Sequence, residues 1–138
     1  MPKLYFYDTG LASWLLGIRE PAHLRSHPLR GPVFETWVVS EIVKQRANRG
    51  DNRGLSFYRD SNGAEVDLMI ERPDGLTLVE AKSTATPSAN LFRGVERVRR
   101  HFPQTAALDV TVVYGGESRQ RRTAGSLIPW RELGTVTW

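Results

Sequence analysis

The sequence predicts an α/β domain with a mixed central sheet flanked by helices. From Pro32 onward, the residue patterns follow the order helix, three strands, helix, strand. Two groups of turn-forming residues, 61–63 and 72–75, separate the first three strands, so hairpins should connect them. The second helix lies between the third and fourth strands. A helical crossover of this kind should set the fourth strand parallel to a neighbouring strand.

The N-terminal region is predicted to be a short extension of this domain. Residues 3–7 are rich in aromatic side chains and favour a strand. Asp8 can cap a helix over residues 9–16, and Gly17 suits the end of that helix. Residues 20–28 show no clear period and are interpreted as a connector.

The core elements follow from hydrophobic spacing and turn chemistry. A long helix is predicted from Pro32, at a first-turn position, to about Arg46. Three strands are predicted at residues 55–60, 64–71 and 76–82. A helix over residues 86–101 has apolar side chains at helical spacing, and a strand over residues 109–114 follows it. Short strands are expected near residues 127–128 and 135–138.

Length and composition set the class of protein. A chain of 138 residues with 40% hydrophobic content can form one domain with a real core. We divide residues 1–138 into an N-terminal extension (1–28), a core (29–114) and a C-terminal basic loop with short strands (115–138). The absence of cysteine excludes disulfides, thiolate metal sites and cysteine nucleophiles. Because no apolar run approaches the roughly 20 residues of a membrane span, we predict a cytoplasmic protein with no membrane partner.

The charge pattern suggests a polyanionic partner. The chain has 19 basic and 15 acidic residues, and only three of the basic residues are lysines. Arg93, Arg97 and Arg100 share one face of the second core helix, opposite its apolar stripe. Guanidinium groups on such a face could follow the phosphates of DNA. The alternative is an ordinary solvated helix face.

One glutamate lies where a helix should be apolar. Glu35 falls near the middle of the stripe that includes Phe34, Val38 and Ile42. A carboxylate that faces a core is costly unless a cation meets it. The alternative is a carboxylate near the start of a helix, where the helix dipole favours it.

The second and third strands should bring two further carboxylates together. A register that pairs Leu68 with Val79 keeps one face uniformly apolar and leaves a four-residue loop at 72–75. It sets Asp67 directly opposite Glu80, with Cβ atoms about 5 Å apart. Two carboxylates at that distance repel each other unless a proton or a cation lies between them.

A divalent cation, Mg²⁺ or Mn²⁺, would relieve this repulsion. Its predicted ligands are Asp67, Glu80 and the carbonyl of Ala81, with Glu35 bound directly or through water. Lys82 would orient or deprotonate the attacking water, or stabilise negative charge on a phosphate. These four side chains suit phosphodiester hydrolysis. The alternative is a salt-bridge network without a metal, in which Lys82, set opposite Glu65 by the same register, neutralises Glu65 or Glu80.

The set Glu35, Asp67 and Glu80-Ala81-Lys82 resembles the PD-(D/E)XK nuclease superfamily. The resemblance implies a restriction-endonuclease-like core, α-β-β-β-α-β, over residues 29–114. Val66 stands where that superfamily often has proline.

A second resemblance covers nearly the whole chain. The segments concerned are 2–11, 31–35, 58–67 and 128–130, together with Glu80-Ala81-Lys82. They are similar to an uncharacterised domain found C-terminal to AAA-type ATPases of bacteria and archaea. The resemblance implies that the chain is a fragment of a longer protein and that an upstream ATPase domain is its partner. No phosphate-binding loop occurs in this sequence, so no nucleotide site is expected in it.

Three hypotheses follow from the sequence. The first is a metal-dependent nuclease domain that acts on DNA, with Glu35, Asp67, Glu80 and Lys82 as its site. The second is a catalytically silent domain of the same fold that binds DNA or a protein partner for the ATPase. The third is a structural domain whose acidic residues are neutralised by lysine and arginine.

Overall fold

The computed structural model describes residues 2–103 and 107–138. The four α-helices are α1 (Thr9–Leu15), α2 (Pro21–Ser26), α3 (Arg30–Asn48) and α4 (Arg93–Arg99). The six strands are β1 (Leu55–Arg59), β2 (Glu65–Arg72), β3 (Gly75–Lys82), β4 (Leu108–Tyr114), β5 (Gln120–Arg122) and β6 (Gly125–Pro129). Two 3₁₀ segments, Ala89–Phe92 and Trp130–Thr135, complete the described elements.

All six strands form one mixed sheet in the order β1-β2-β3-β4-β6-β5. The β1–β2 and β2–β3 pairs are antiparallel, as hairpins require. The β3–β4 pair is parallel, which confirms the crossover predicted for the second core helix. The predicted mixed sheet flanked by helices is therefore confirmed.

Helices cover the two faces of the sheet and create two cores. The α3-side core joins Val38 and Ile42 of α3 to Val79 of β3. The α4-side core joins Val95 of α4 to Leu78 of β3. Neighbouring residues of β3 thus enter opposite cores, as expected for a central strand buried on both faces.

The helix ends agree with the capping chemistry of the sequence, with differences in extent. Asp8 caps α1 by accepting a hydrogen bond from the Leu11 amide at 3.0 Å. The long helix α3 extends two residues beyond each predicted end. The helix predicted over 86–101 is instead a 3₁₀ turn followed by the shorter α4. No helix in the described ranges 2–103 and 107–138 combines the length and apolarity needed to cross a membrane.

Three other local predictions were wrong. The connector predicted at 20–28 contains α2, which Pro21 starts at a position where no amide donor is needed. The segment 3–7 is extended but does not join the six-stranded sheet, because its side chains contact α3 and β2 instead. The strand predicted at 135–138 is absent: a 3₁₀ helix ends at Thr135, and the Trp138 indole donates to the Leu133 carbonyl at 3.0 Å.

The register of the β2–β3 hairpin is the predicted one, but its loop is shorter. Leu68 pairs with Val79. Arg72 pairs with Gly75, so the connection has two residues instead of four. Gly75 has a φ of 156°, and a Cβ there would lie 2.0 Å from the Ala107 carbonyl oxygen, so this position admits only glycine.

Candidate metal centre

The candidate site lies where β2 and β3 separate. Their paired residues end at Leu68 and Val79. Asp67 directly precedes Leu68 in β2, and its Oδ2 accepts a hydrogen bond from the Ala81 amide at 2.9 Å. Beyond the last backbone pair of the two strands, a side-chain carboxylate therefore accepts the hydrogen bond of a β3 amide. This bond fixes the Asp67 side chain beside β3.

The side-chain alternation of β2 also breaks at this point. Val66 packs in the α4-side core, whereas Leu68, two residues later, packs in the α3-side core. Residues two apart in a regular strand share a face. The predicted ladder pairs of Asp67 with Glu80, and of Glu65 with Lys82, are therefore wrong, because the ladder with β3 ends at Leu68 and Val79 and the register of β2 against β1 shifts at the same place.

The four predicted site residues nevertheless meet. One cleft of about 440 Å³, here called the acid cleft, is lined by the following residues: Gly31, Pro32, Glu35, Gly63, Glu65, Asp67, Glu80, Ala81, Lys82, Ser83 and Gly94. They come from α3, the end of the β1–β2 turn, β2, β3 and the start of α4. The break in the ladder thus changes how the acids converge without preventing it.

Glu80 has one carboxylate oxygen without a partner. Its side chain is only 7% exposed. The Oε1 atom accepts a hydrogen bond from Lys82 Nζ at 2.5 Å. The Oε2 atom is buried and has no hydrogen-bond partner among the described residues. Because a buried carboxylate oxygen is costly without a donor or a cation, this atom marks a position suited to a cation.

The sequence did not assign a role to Lys3, which lies among three of the acids. Its Nζ atom is 2.8 Å from Glu35 Oε1 and 3.2 Å from Asp67 Oδ1. It also forms an ion pair with Glu65 Oε1. Oxygens of these three carboxylates lie within 4.8 Å of one another, close enough to hold a metal ion. An ammonium group from the N-terminal segment, residues 2–8, therefore occupies this group of acids.

Tyr5 supports the same arrangement. Its hydroxyl donates to Glu35 Oε1 at 2.8 Å. Lys3 and Tyr5 are two residues apart on an extended segment, so their side chains point the same way, and Leu4 between them is 85% exposed. This spacing was the available sequence signal, but it does not reveal which acids the two side chains meet.

Burial and the repulsion between neighbouring carboxylates raise the pKa values of two carboxyl groups of the acid cleft. Burial, followed by the charges of Glu80 and Glu35, raises the pKa of Asp67 to about 7. Burial also raises the pKa of Glu80, although Lys82 opposes the change. Both groups therefore resist carrying full negative charge without a further cation.

The ion pairs of the acid cleft lower the pKa of Glu35 and raise the pKa values of the two lysines. Burial alone would raise the pKa of Glu35, but its hydrogen bonds with Lys3 and Tyr5 lower it overall. Burial alone would lower the pKa of Lys3, yet Glu35, Glu65 and Asp67 raise it. Burial would also lower the pKa of Lys82, but the neighbouring Glu80 carboxylate raises it overall. Both ammonium groups are thus charged at neutral pH.

Comparison with known proteins places the chain in a family. Residues 30–133 match the profile of a family described as a domain of unknown function, DUF4143. The chain belongs to this family. The matched range contains Glu35, Asp67, Glu80 and Lys82, while Lys3 and Tyr5 lie before it.

Two curated relatives of this DUF4143 domain are mycobacterial. They are the uncharacterized proteins Mb2031c of Mycobacterium bovis and Rv2008c of Mycobacterium tuberculosis. Each is 32% identical over 121 residues, which are 86% of this chain and 25% of the relative. The chain therefore spans about a quarter of the length of these relatives. No solved structure matches it.

The arginine face of the DUF4143 domain lies where the sequence predicts it. Arg93, Arg97 and Arg100 are exposed, whereas Val95 and Val98 of the same helix are buried. Gly94 lines the acid cleft, so the arginine-bearing helix begins beside it. Contact of these arginines with DNA stays a prediction.

The shifted pKa of Asp67 makes stability depend on pH. The folded domain binds the Asp67 proton with a pKa of about 7, against an ordinary value of 3.8. Between these values the folded state holds more protons than the unfolded chain, so this group costs stability as pH rises. We expect the advantage of Asp67→Asn over wild type in EDTA to grow from about pH 4 to about pH 8.

Urea denaturation at several pH values measures this advantage. Asp74→Asn, at an exposed turn position, is the matched control. An Asp67→Asn curve that runs parallel to wild type would show that burial of Asp67 does not shift its proton affinity.

Proposed function

We propose that this domain is a metal-dependent phosphodiesterase of the PD-(D/E)XK type that acts on DNA. The observation that carries the proposal is the buried Oε2 of Glu80, which has no partner in the described part of the chain and lies in one cleft with the Asp67 carboxylate and the Lys82 ammonium. Hard carboxylate oxygens are the donors that Mg²⁺ and Mn²⁺ prefer. The donor set of the acid cleft therefore fits such an ion.

The charge of the acid cleft supports a bound cation. Four carboxylates line it, those of Glu35, Glu65, Asp67 and Glu80. Two ammonium groups, of Lys3 and Lys82, contact these carboxylates, and the more exposed Arg59 guanidinium lies 3.7 Å from Glu65 Oε2. With every carboxylate ionised, these groups leave one net negative charge, which favours a further cation. Asp67 and Glu80 would hold the ion, with the Ala81 carbonyl as a further candidate ligand.

The residues of the chain have distinct roles in the proposed reaction. A bound divalent ion would supply Lewis-acid stabilisation of the phosphate. Lys82, held at 2.5 Å by Glu80, would orient the attacking water or stabilise the charge that develops on the phosphate. Glu35 would position the cluster, because it links Lys3 and Tyr5 to the acid cleft.

Fold and surface charge support a nucleic-acid substrate. The order of α3, β1, β2, β3, α4 and β4 is the α-β-β-β-α-β order of a restriction-endonuclease-like core. Arg93 and Arg97 extend from the helix that borders the acid cleft. Phosphates following this face would pass beside Glu80 and Lys82.

Lys3 also supports a second function, a catalytically silent domain of the same fold. Its ammonium already pairs with three of the acids. A domain stabilised in this way needs no metal and could serve as a binding platform for DNA or for a protein partner. We further propose that either form works with an ATPase domain, because the chain resembles a domain found C-terminal to AAA-type ATPases and the relatives that it matches are about 3.5 times its length.

A nuclease assay with Mg²⁺ or Mn²⁺ on single-stranded, duplex and branched DNA tests the first function. Asp67→Ala and Lys82→Ala should each lower cleavage about a hundredfold or more. The controls are Asp74→Ala, exposed in a turn, and Lys44→Ala, paired with Glu41 on the surface of α3. Cleavage that survives both site substitutions would remove the proposed site. No cleavage of any substrate, with DNA still bound, would favour the silent domain.

A further inference from the structure

The ammonium of Lys3 is bound in a way that is unusual for a surface lysine. It has three carboxylate partners, on α3 and β2, that are far from it in sequence. Lys44, by contrast, has one carboxylate partner one turn away on its own helix. An ammonium has three N–H donors, and three acceptors satisfy them all. Lys3 therefore has no donor left for a substrate.

The three acids around Lys3 are arranged as the ligands of a cation. Their oxygens lie within 4.8 Å of one another. Asp67 belongs to this group through Oδ1 and faces the backbone of β3 through Oδ2. The Oε2 atom of Glu80, in a side chain 7% exposed, has no partner among the residues that the structure describes and points to a second, separate cation position in the same cleft.

We propose that Lys3 holds one of two cation positions in the acid cleft, so that the domain takes one divalent ion where it would otherwise take two. Lys3 is thus a positioning residue that sets the metal stoichiometry. The inference rests on the proposed function, because it assumes that Glu80 and Asp67 hold the remaining ion. Glu65 then serves Lys3 and is not a ligand of that ion.

The way in which the N-terminal segment reaches the acid cleft supports this role of Lys3. Residues 2–8 form no helix or strand, and Leu4, Phe6 and Tyr7 of this segment are exposed. Lys3 and Tyr5 are its contacts with Glu35 and Asp67. A charged side chain delivered from an extended segment can fill a cation position without contributing to the core. Loss of its charge should therefore leave the two cores intact.

The test counts bound Mn²⁺ by calorimetry and by electron paramagnetic resonance. Wild type should bind one ion and Lys3→Met two, because methionine keeps the stem but removes the charge. Lys3→Arg, which keeps the charge, should bind one ion, as should the control Lys44→Met. In EDTA, Lys3→Met should melt at a lower temperature than wild type, because three acids lose the ammonium that they share. Mn²⁺ should then raise its melting temperature by more than it raises that of wild type.

The outcomes separate the inference from the proposed function. Equal stoichiometry in wild type and Lys3→Met would overturn the inference. The proposed function is tested by the wild-type ion itself: if Glu80→Gln does not remove that ion, the site is elsewhere. If Lys3→Met does not fold, Glu65→Gln decides, because it should retain one ion of wild-type affinity. Loss of the ion in Glu65→Gln would make Glu65 a ligand and would overturn the inference.

Discussion

Replacing Glu80 with glutamine is expected to lower the affinity of the domain for Mn²⁺ at least about a hundredfold, since loss of supporting groups alone costs 10- to 100-fold. The Glu80 Oε2 atom is buried and has no partner within residues 2–103 and 107–138, so it is the oxygen best placed to gain from a cation. Glutamine keeps the shape and the acceptor for Lys82 but removes the negative charge. Calorimetric titration with Mn²⁺ measures the change in affinity.

Glu96→Gln is the matched control, because Glu96 is exposed on α4, the helix that borders the acid cleft. It should bind Mn²⁺ as wild type does. If the two glutamine variants bind the ion equally well, the orphaned oxygen has no role in metal binding. The structural hypothesis would then be the best account of the acid cleft.

Replacing Phe92 with alanine is expected to lower the free energy of unfolding by about 3–5 kcal/mol. Phe92 lies in the 3₁₀ turn before α4, is 1% exposed and packs in the α4-side core. Its removal leaves a cavity between the sheet and the helix that borders Glu80. Urea denaturation gives the loss of stability.

The control for this substitution is Phe57→Ala in β1, where the phenylalanine is 38% exposed. Its smaller buried area should limit the loss to about 1 kcal/mol. Losses of equal size at the two positions would mean that the α4-side core does not support the fold as the packing indicates. A Phe92→Ala variant that folds should also bind DNA less well, because α4 presents the arginine face.

The sheet could be predicted because its signals are local. Turn residues delimit β1, β2 and β3, and the apolar pattern of β2 and β3 sets the pairing of Leu68 with Val79. The parallel pairing of β3 with β4 follows from the helix between them. The segment 3–7 was misassigned because aromatic composition favours a strand but cannot show whether a sheet edge is available to it.

The acids of the cleft could be identified from local patterns: Glu35 stands out in the apolar stripe of α3, and the hairpin register brought Asp67 and Glu80 together. Their mode of convergence was not predictable. The pattern of β2 reads as regular alternation, and only packing shows that Val66 and Leu68 enter different cores. This break releases Asp67 to accept the Ala81 amide at the end of the ladder.

The sequence by itself determined the α/β class, the antiparallel order of β1, β2 and β3 and the acids Glu35, Asp67 and Glu80, because each depends on neighbours within one or two elements. Only the tertiary structure decided that Lys3 meets three carboxylates from α3 and β2, because no local pattern links residues more than 30 positions apart. The energy of an ion pair depends on the distance between its charges, and only the tertiary structure sets that distance for residues far apart in sequence.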